Sequence, residues 1–506
     1  MTSGLRKILF IALILNLALA ACAAAGIVPF PYGMDYGEAP LIDQARRIAA
    51  GQTIYKPDLQ TPPYVIAKYP PLYPLLIAGA GRLTGLPLFP VGRAISVAGA
   101  LLAGLSIGLL AARLFGSRLA GLLAATLLLG NPLVILWGSV ARVDLLALGL
   151  SLAALLLLYS RGRSWPWLAV AMLCLAAAIF TRQTSALAAP AAGAVWLWRC
   201  DRRRGLAFVA GLALAVALVF GALNYATGGG FYLHTVVANV NAFDPGRLPP
   251  MAGRLASVWP FVILIVGVMV VTVLSRPGKP ATPRRMKAAE AAPMPPERRA
   301  WEPAPLFSGQ PFLWYGLAIY TLGALGPAVA VGKVGANVNY FLELMAATAI
   351  WAAGAVVWPA GRPALRRAAG YLALGQVAWA IVGAFLLYRE VVAVHWRDLP
   401  TYDALYREVA AAARQGPVLA DEYLDMVVLA GQGIYFQPFE YQQLYQTGRW
   451  DPAALVGELA SRRFSLIAIH PPGDVYNVER WPPAVTAAIT AYYQLAGQQR
   501  EIMLYK

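Results

Sequence analysis

Eleven apolar runs of roughly spanning length follow one another along the first 390 residues, at 8–28, 91–114, 118–138, 144–160, 165–180, 182–198, 205–223, 257–275, 311–331, 338–358 and 369–388. In hydrocarbon only helices can satisfy every backbone N–H and C=O within such isolated runs, so they predict an all-α polytopic membrane domain over 1–389. A further stretch, "YPPLYPLLIAGAGRLTG" (69–85), opens on Pro70 and Pro71, carries Pro74 and several glycines, and is short for a span. Beyond residue 390 the period changes. "TYDALYREVAAAAR" and "RWPPAVTAAITAYY" have helical spacing, and "PVLAD" (417–421) and "FSLIAI" (464–469) read as buried strands. Residues 390–506 therefore form a small soluble α/β domain with no Gly-rich nucleotide loop. Its role is to cap a site, to bind an acceptor, or simply to stabilise. No internal repeat is visible, which weakens the case for a transporter built from repeated halves.

Charge sets the orientation. Arg6 and Lys7 put the N-terminus inside. With eleven spans and 69–85 held outside, the inner side, counting the N-terminus, helix ends and the basic loop 276–310, carries 20 Lys plus Arg, whereas the outer loops beyond residue 138 carry five, Arg142, Arg182, Arg247, Arg254 and Lys333. A crossing at 69–85 would turn the basic loops outward, so this element is interfacial or re-entrant. The first outer loop is then 30–90, and the C-terminal domain is extracytoplasmic. Segment 276–310, rich in Pro, Ala and charge, reads as a disordered cytoplasmic loop. A rival reading takes "LAAC" (19–22) as a lipoprotein signal, but apolar sequence continues past Cys22 to Phe30.

Composition agrees with a multi-pass protein of a cell (inner or plasma) membrane. The chain has 506 residues, is 59% hydrophobic and 13% charged, and has a net charge of +17 that reports inner loops rather than nucleic-acid binding. Cys22, Cys174 and Cys200 are far apart, as are His234, His395 and His470, so neither a disulfide framework nor a His-based metal centre is implied.

Candidate chemistry concentrates in the outer loops. "PYGMDYGEAPLIDQARR" (31–47) places Asp35, Glu38 and Asp43 directly after the first run, in a chain with only 24 Asp plus Glu. "APLIDQARRIAAG" is amphipathic, with Leu41, Ile42, Ala45, Ile48 and Ala49 suited to a membrane surface. Asp43 reads as a helix-surface residue paired with Arg46 or Arg47. Asp35, between prolines and glycines that bend the backbone toward the membrane, suits a general base; Glu38 is a second candidate. In "NPLVILWGSVARVDLLALGL" (131–150), Arg142 and Asp144 sit at a helix mouth, marking either an interface or an inward-facing functional pair. In "IFTRQTSALAAP" (179–190), Arg182 and Gln183 occupy a tight outer turn. A guanidinium there suits a phosphate at the membrane surface, joined by Arg142 and Lys68, although a lipid headgroup contact explains it too. "GKVGANVNYFLELMAA" (332–347) offers Asn339, Tyr340 and Glu343 for sugar hydroxyls or for helix packing. Tyr69, with Tyr32, Tyr36, Tyr55, Tyr64 and Tyr73, offers either stacking faces for sugars or interfacial anchors.

An acid just past the first helix, an outer loop with surface helices, "YPPLYPLL", and an Arg-x-Asp opening a later helix together resemble the GT-C glycosyltransferases. The similarity is to the branch of protein O-mannosyltransferases, lipid A aminoarabinose transferases and Rgt-like sugar transferases. It covers about residues 1–200 well and 311–388 loosely, through "NYFLEL". "YPPLYPLL" stands where relatives often carry "HPPL". The resemblance implies a GT-C-like fold and a polyprenyl-phosphate-linked sugar as donor, with transfer to a glycan, lipid or protein hydroxyl on the outer face and inversion at the anomeric carbon, as part of cell-envelope glycosylation. It implies catalytic roles for Asp35, the family's first-loop acid, and Asp144, and places Arg182 toward the lipid phosphate; Glu38 and Lys68 have no counterpart in it. From their places in the outer loops, Glu38 stays a catalytic candidate, and Lys68, Tyr69, Arg142, Arg182, Gln183, Asn339, Tyr340 and Glu343 are the candidates for substrate binding. Beyond the lipid-linked sugar donor no cofactor is implied, and a divalent ion on carboxylates stays open. Two other classes remain beside it, a transporter or flippase, and a receptor-like protein whose C-terminal domain binds a ligand.

Overall fold

The computed structural model describes residues 3–162, 164–239, 241–274, 312–357, 363–471, 480–499 and 501–506. The expected loop 276–310 lies outside these residues. Among the described residues, each of the eleven apolar runs is helical over most of its length. In chain order they begin with α1 (Ser3–Ile27), and after it come α2 (Glu38–Ala49), α3 (Leu72–Thr84) and α4 (Leu88–Phe115). These are followed by α5 (Arg118–Leu129), α6 (Pro132–Ser139), α7 (Asp144–Arg161) and α8 (Trp165–Thr181), then α9 (Ala188–Cys200) and α10 (Arg202–Ala226). Helices Leu248–Val258, Pro260–Leu274, Phe312–Val329, Leu342–Val357 and Pro363–Leu387 complete the bundle.

Among the described residues, seven helices are long and apolar enough to cross a membrane, and nine if each of two bent pairs counts as one span. The remaining two runs gave shorter helices, α8 and the 13-residue α9. Both bends follow from local chemistry. Asn131 caps α6, its Oδ1 accepting the Leu133 N–H at 2.9 Å, and Pro132 cannot continue α5, so the axis turns by 66°. Pro260 likewise opens the helix after a 90° turn. Close helix approach uses small residues. A Cβ on Gly99 of α4 would lie 2.5 Å from the Leu146 backbone of α7, so only glycine permits this contact.

α3 is 13 residues long and ends on Gly85 in the left-handed conformation. At ~1.5 Å per residue it spans about 20 Å, too little to cross ~30 Å of hydrocarbon. It packs on α2 and α4 with Leu75, Leu76 and Leu83 exposed, as an element lying along a surface does.

The C-terminal region holds a four-stranded sheet of β1 (Val418–Ala420), β2 (Leu466–Ile469), β3 (Leu495–Gln499) and β4 (Ile502–Tyr505), in the order β1-β2-β4-β3. β1 and β2 are parallel, with Val418 opposite Leu466, and β4 is antiparallel to both β2 and β3. The two strands read from the sequence are β1 and β2, and every residue of each is buried. Helices Leu399–Ala413 and Pro483–Tyr492 occupy the two helical stretches.

This sheet unit is docked on the first loop, and that overturns two expectations. The apolar face of α2 does not meet lipid. Leu41, Ile42 and Ala45 are buried in one cluster with Tyr402, Leu424, Val427 and Ile434 of the C-terminal region. Asp43 is not a helix-surface residue. It is buried, 2.8 Å from Arg47 Nε, and faces the Ile434 N–H at 3.4 Å. Arg46 donates instead to the carbonyls of Val428, Gly431 and Gln432, tying α2 to the same segment.

Candidate active site

The residues singled out in four separate stretches meet at the end of the bundle that carries residues 28–87 and the sheet unit. Residues 28–37 leave α1 through two prolines and reach α2 without regular structure. Arg93, fully buried near the start of α4, organises this stretch. Its guanidinium donates to the carbonyls of Ile27 (3.1 Å), Phe30 (2.5 Å) and Tyr32 (2.6 Å). It also forms a two-pronged ion pair with Glu38 at 2.8 and 2.9 Å. Glu38 accepts two more bonds, from the backbone N–H groups of Met34 and Ala141, each at 2.7 Å. Burial alone would push the Glu38 carboxyl up, but Arg93 and these donors outweigh it and hold it below its usual value. Both oxygens are occupied and the side chain is 0% exposed. Sequence reading missed Arg93 because a single charge at the edge of an apolar run looks like an interface marker.

Asp35, three residues earlier, is different. Its side chain is 27% exposed. Oδ1 accepts the Gly37 N–H at 3.0 Å and lies 3.1 Å from Arg142 Nη1. Burial pushes this carboxyl above its usual range, and Arg142 offsets part of the rise. A Cβ on Gly37 would fall 1.5 Å from Arg142 Nη1, so glycine is what lets the guanidinium reach Asp35.

From Arg142 the charges form a chain. Arg142 Nε stands 3.6 Å from Asp144 Oδ2, and its guanidinium lies over the Trp137 ring at 4.9 Å. Asp144, with no exposed side-chain surface, pairs with Arg182 Nη1 at 2.7 Å and accepts from Asn339 Nδ2 at 2.8 Å. Arg182 in turn lies over the Tyr340 ring at 4.9 Å. Among the described residues, Arg182 Nη2, Asn339 Oδ1 and both Glu343 oxygens are buried without a hydrogen-bond partner. Unfilled buried donors and acceptors are costly, and they gather where a ligand completes them.

Lys68 does not join the arginines. Its Nζ pairs with Glu440 Oε1 at 2.7 Å, which outweighs burial and raises its pKa. Gln183 Nε2 donates to the Lys68 carbonyl at 2.9 Å, and the Tyr69 carbonyl accepts the Tyr55 hydroxyl at 2.7 Å. Glu440 also accepts the Tyr36 hydroxyl at 3.2 Å, and Arg480 lies over the Tyr36 ring at 4.4 Å while pairing with Asp421 and Glu422. Glu440 and Arg480 carry no sequence signal. They sit in a region with helix and strand spacing and reach the site only by docking.

Two cavities lie beside residues 33–37; Asp35 lines the larger one, and Gly37 and Arg142 line the smaller. One of about 170 Å³ lies between Lys68, Tyr69, Arg142, Phe439, Glu440 and Arg480. One of about 650 Å³ lies on the other side, between residues 33–39 and the sheet unit. Tyr36 borders both. Among the described residues, no group of three or more His, Cys, Asp or Glu side chains could hold a metal ion.

Residues 68–225 match the family described as dolichyl-phosphate-mannose-protein mannosyltransferase. That stretch holds Lys68, Tyr69, Arg142, Asp144, Arg182 and Gln183; Asp35 and Glu38 precede it. No curated protein sequence matches this chain. Solved structures do. ArnT from Cupriavidus metallidurans in the apo state superposes with a TM-score of 0.61 at 12% identity, over 97% of both chains. The chain has the GT-C fold. The same ArnT bound to undecaprenyl phosphate gives a TM-score of 0.58 at 13% identity, again over 97% of each chain. The archaeal oligosaccharyltransferase AglB from Archaeoglobus fulgidus, in complex with an inhibitory peptide and a dolichol-phosphate, gives 0.51 at 11% identity, over all of this chain and 74% of that one. The resemblance read from the sequence is thus borne out at the level of fold.

Proposed function

We propose that this chain is an integral membrane glycosyltransferase that moves a sugar from a polyprenyl-phosphate-linked donor to an acceptor hydroxyl on the outer face of the membrane. The observation that carries the reading is the chain Asp35–Arg142–Asp144–Arg182, which ends on a buried guanidinium nitrogen with no partner. Asp144 holds the two arginines in place, and their free donors meet the phosphate of the donor. Tyr69, Gln183, Asn339, Tyr340 and Glu343 surround the donor headgroup, while Lys68 is held by Glu440. Asp35 accepts the proton of the acceptor hydroxyl. The hydroxyl oxygen bonds to the anomeric carbon as the bond from that carbon to the phosphate oxygen breaks. The electron pair leaves with polyprenyl phosphate, whose growing charge the arginines stabilise. Attack opposite the leaving group inverts the anomeric carbon. Glu38 is a positioning residue in this scheme, since its oxygens are filled by Arg93 and two backbone donors. The matches to ArnT and AglB structures that contain polyprenyl phosphates support the donor class. A transporter is less well supported. Its ionisable groups would line a mid-membrane path, whereas the buried ones here lie in loops or within about two helical turns of them.

The test is sugar transfer by purified protein in nanodiscs, with radiolabelled polyprenyl-phosphate sugars and a membrane extract as acceptor. Wild type transfers label and Asp35→Asn, still folded, does not. Full activity in Asp35→Asn removes Asp35 as the base. Flux of a lipid-linked substrate with no transfer from any donor favours the transporter.

A further inference from the structure

At the other end of the bundle the basic side chains are arranged in a way that membrane orientation alone does not require. α7 runs 18 residues from Asp144 to Arg161, about 27 Å, and α8 returns from Trp165 to Thr181 beside Arg182. The corner made by the end of α7, the start of α8, the end of α9 and the start of α10 therefore lies across the bundle from the candidate active site. These helix ends hold Arg161, Arg199, Arg202, Arg203 and Arg204, and no lysine. Their only acid is Asp201; between residues 59 and 243 the chain has one other, Asp144, at the opposite end.

Four of the guanidiniums are laid on aromatic rings. Arg161 lies over Trp167 at 5.1 Å, Arg204 over Trp165 at 5.6 Å, Arg202 over Trp198 at 6.0 Å and Arg199 over Tyr315 at 5.2 Å. A ring covers one face of a guanidinium and holds its plane, while the N–H edges stay in that plane and point past the ring. Among the described residues, only Arg204 of these four has a carboxylate partner, Asp201, 3.4 Å from its Nε. Asp201 is itself taken up as the cap of α10, where Oδ1 accepts the N–H groups of Arg203 at 3.0 Å and Arg204 at 3.4 Å. The corner presents oriented donors and almost no acceptor. Flexible lysines would serve the positive-inside bias equally well; stacked arginines add a planar fork that fits a phosphate.

The rings place that phosphate at a membrane surface. Trp165, Trp198 and Tyr315 are about half exposed, as side chains between headgroups and hydrocarbon are. Further along the same helices, Leu173 of α8 and Leu206 and Val209 of α10 are exposed. An anion bound at the corner has apolar surface directly beside it, which suits a ligand carrying acyl chains.

We infer that this corner seats the phosphate headgroups of anionic phospholipids. The site is separate from the reaction and stands whether or not the chain transfers sugar. A zwitterionic lipid offers the same phosphate with a cation attached, which five arginines against one carboxylate disfavour.

Full-length protein in a nonionic detergent, freed of co-purified lipid, is titrated with phosphatidylglycerol or with phosphatidylcholine of the same acyl chains, and bound lipid is counted by native mass spectrometry. Wild type is compared with Arg202→Gln/Arg204→Gln and with Arg202→Lys/Arg204→Lys. Arg366→Gln/Arg367→Gln, which removes the same charge at the start of helix Pro363–Leu387, is the control. Wild type binds phosphatidylglycerol at least about tenfold more tightly than phosphatidylcholine. The Gln pair loses most of that preference, the Lys pair loses part of it, and the control keeps it. The Lys pair retains the charge facing Asp201, so it tests the site even if the Gln pair folds poorly. Excess inorganic phosphate does not displace the lipid. No preference in wild type overturns the inference. So does an equal loss in the control, which means diffuse charge, a Lys pair that binds as wild type does, or displacement by phosphate, which means a site for a free anion.

Discussion

Glu38 and Asp35 lie three residues apart, and their substitution separates a positioning acid from a reacting one. Glu38→Gln keeps size and shape while removing the charge. Four donors converge on the native carboxylate: Arg93 Nε and Nη2, and the N–H groups of Met34 and Ala141. The amide oxygen of glutamine can still serve the donors at Oε1, Arg93 Nε and Ala141 N. The amide NH₂ then faces the two donors at Oε2, Arg93 Nη2 and Met34 N, and repels both. Two hydrogen bonds and the ion-pair attraction are lost with Arg93 still buried, which costs about 3–5 kcal/mol. Arg93→Met costs at least as much, because it also strips the carbonyls of Ile27, Phe30 and Tyr32 of their donor. The assay is thermal or denaturant unfolding of purified protein in detergent, read beside sugar transfer at a temperature where each variant is folded. Glu38→Gln is expected to unfold well before wild type and to retain most of its transfer rate while folded. A Glu38→Gln protein of wild-type stability that has lost transfer would refute the positioning role and return Glu38 to the chemistry.

Four further outcomes follow from the same geometry. Asp35→Asn leaves the unfolding midpoint within error and lowers transfer by about 10²–10⁴-fold, the range for loss of a general base; equal losses of both would point to a structural role. Because burial holds the Asp35 carboxyl above its usual value, and the reaction needs the ionised form, transfer falls as pH drops through a pKa above that of an ordinary aspartate. A pH–rate profile that stays flat down to the ordinary range contradicts this, and the limb should vanish in any residual activity of Asp35→Asn. Gly37→Ala puts a methyl group where Arg142 Nη1 now lies, so it should cut transfer at least about tenfold with little loss of stability, measured as above. His234 accepts the Ala67 N–H at Nδ1 (3.0 Å) and donates from Nε2 to the Lys56 carbonyl (3.0 Å), so it is held neutral, and burial lowers its pKa to about 4. The unfolded state takes up that proton first, so this contribution is full above pH ~6.5 and is lost as pH falls toward 4; a His234→Phe protein should lose that part of the acid sensitivity of its unfolding midpoint.

Much of the protein follows from local pattern alone. Apolar runs without charge became helices because hydrocarbon leaves the backbone no other partner. Proline cannot continue a helix, so Pro132 and Pro260 stand at the two bends, and the runs "PVLAD" and "FSLIAI" hold the two buried parallel strands. Charged residues beside such runs are costly unless they are used. For that reason Asp35, Arg142, Asp144, Arg182 and Asn339 were legible as candidates, and the fold brings them into one chain of contacts.

The tertiary structure decided what docks on what. The hydrophobic stripe of α2 reads equally well as a membrane face or a protein face, because lipid and side-chain carbon are similar solvents for leucine. Only the position of the C-terminal unit assigns it. The same docking buried Asp43 together with its expected helix partner Arg47 and gave Lys68 to Glu440 instead of to a phosphate. It also delivered Arg480 to Tyr36. Glu38 and Asp35 have the same chemistry and nearly the same place in the chain. Arg93, 55 residues after Glu38, is what fills one carboxylate and leaves the other open. Partners so distant in sequence are chosen by the packing of whole elements, which no local period records.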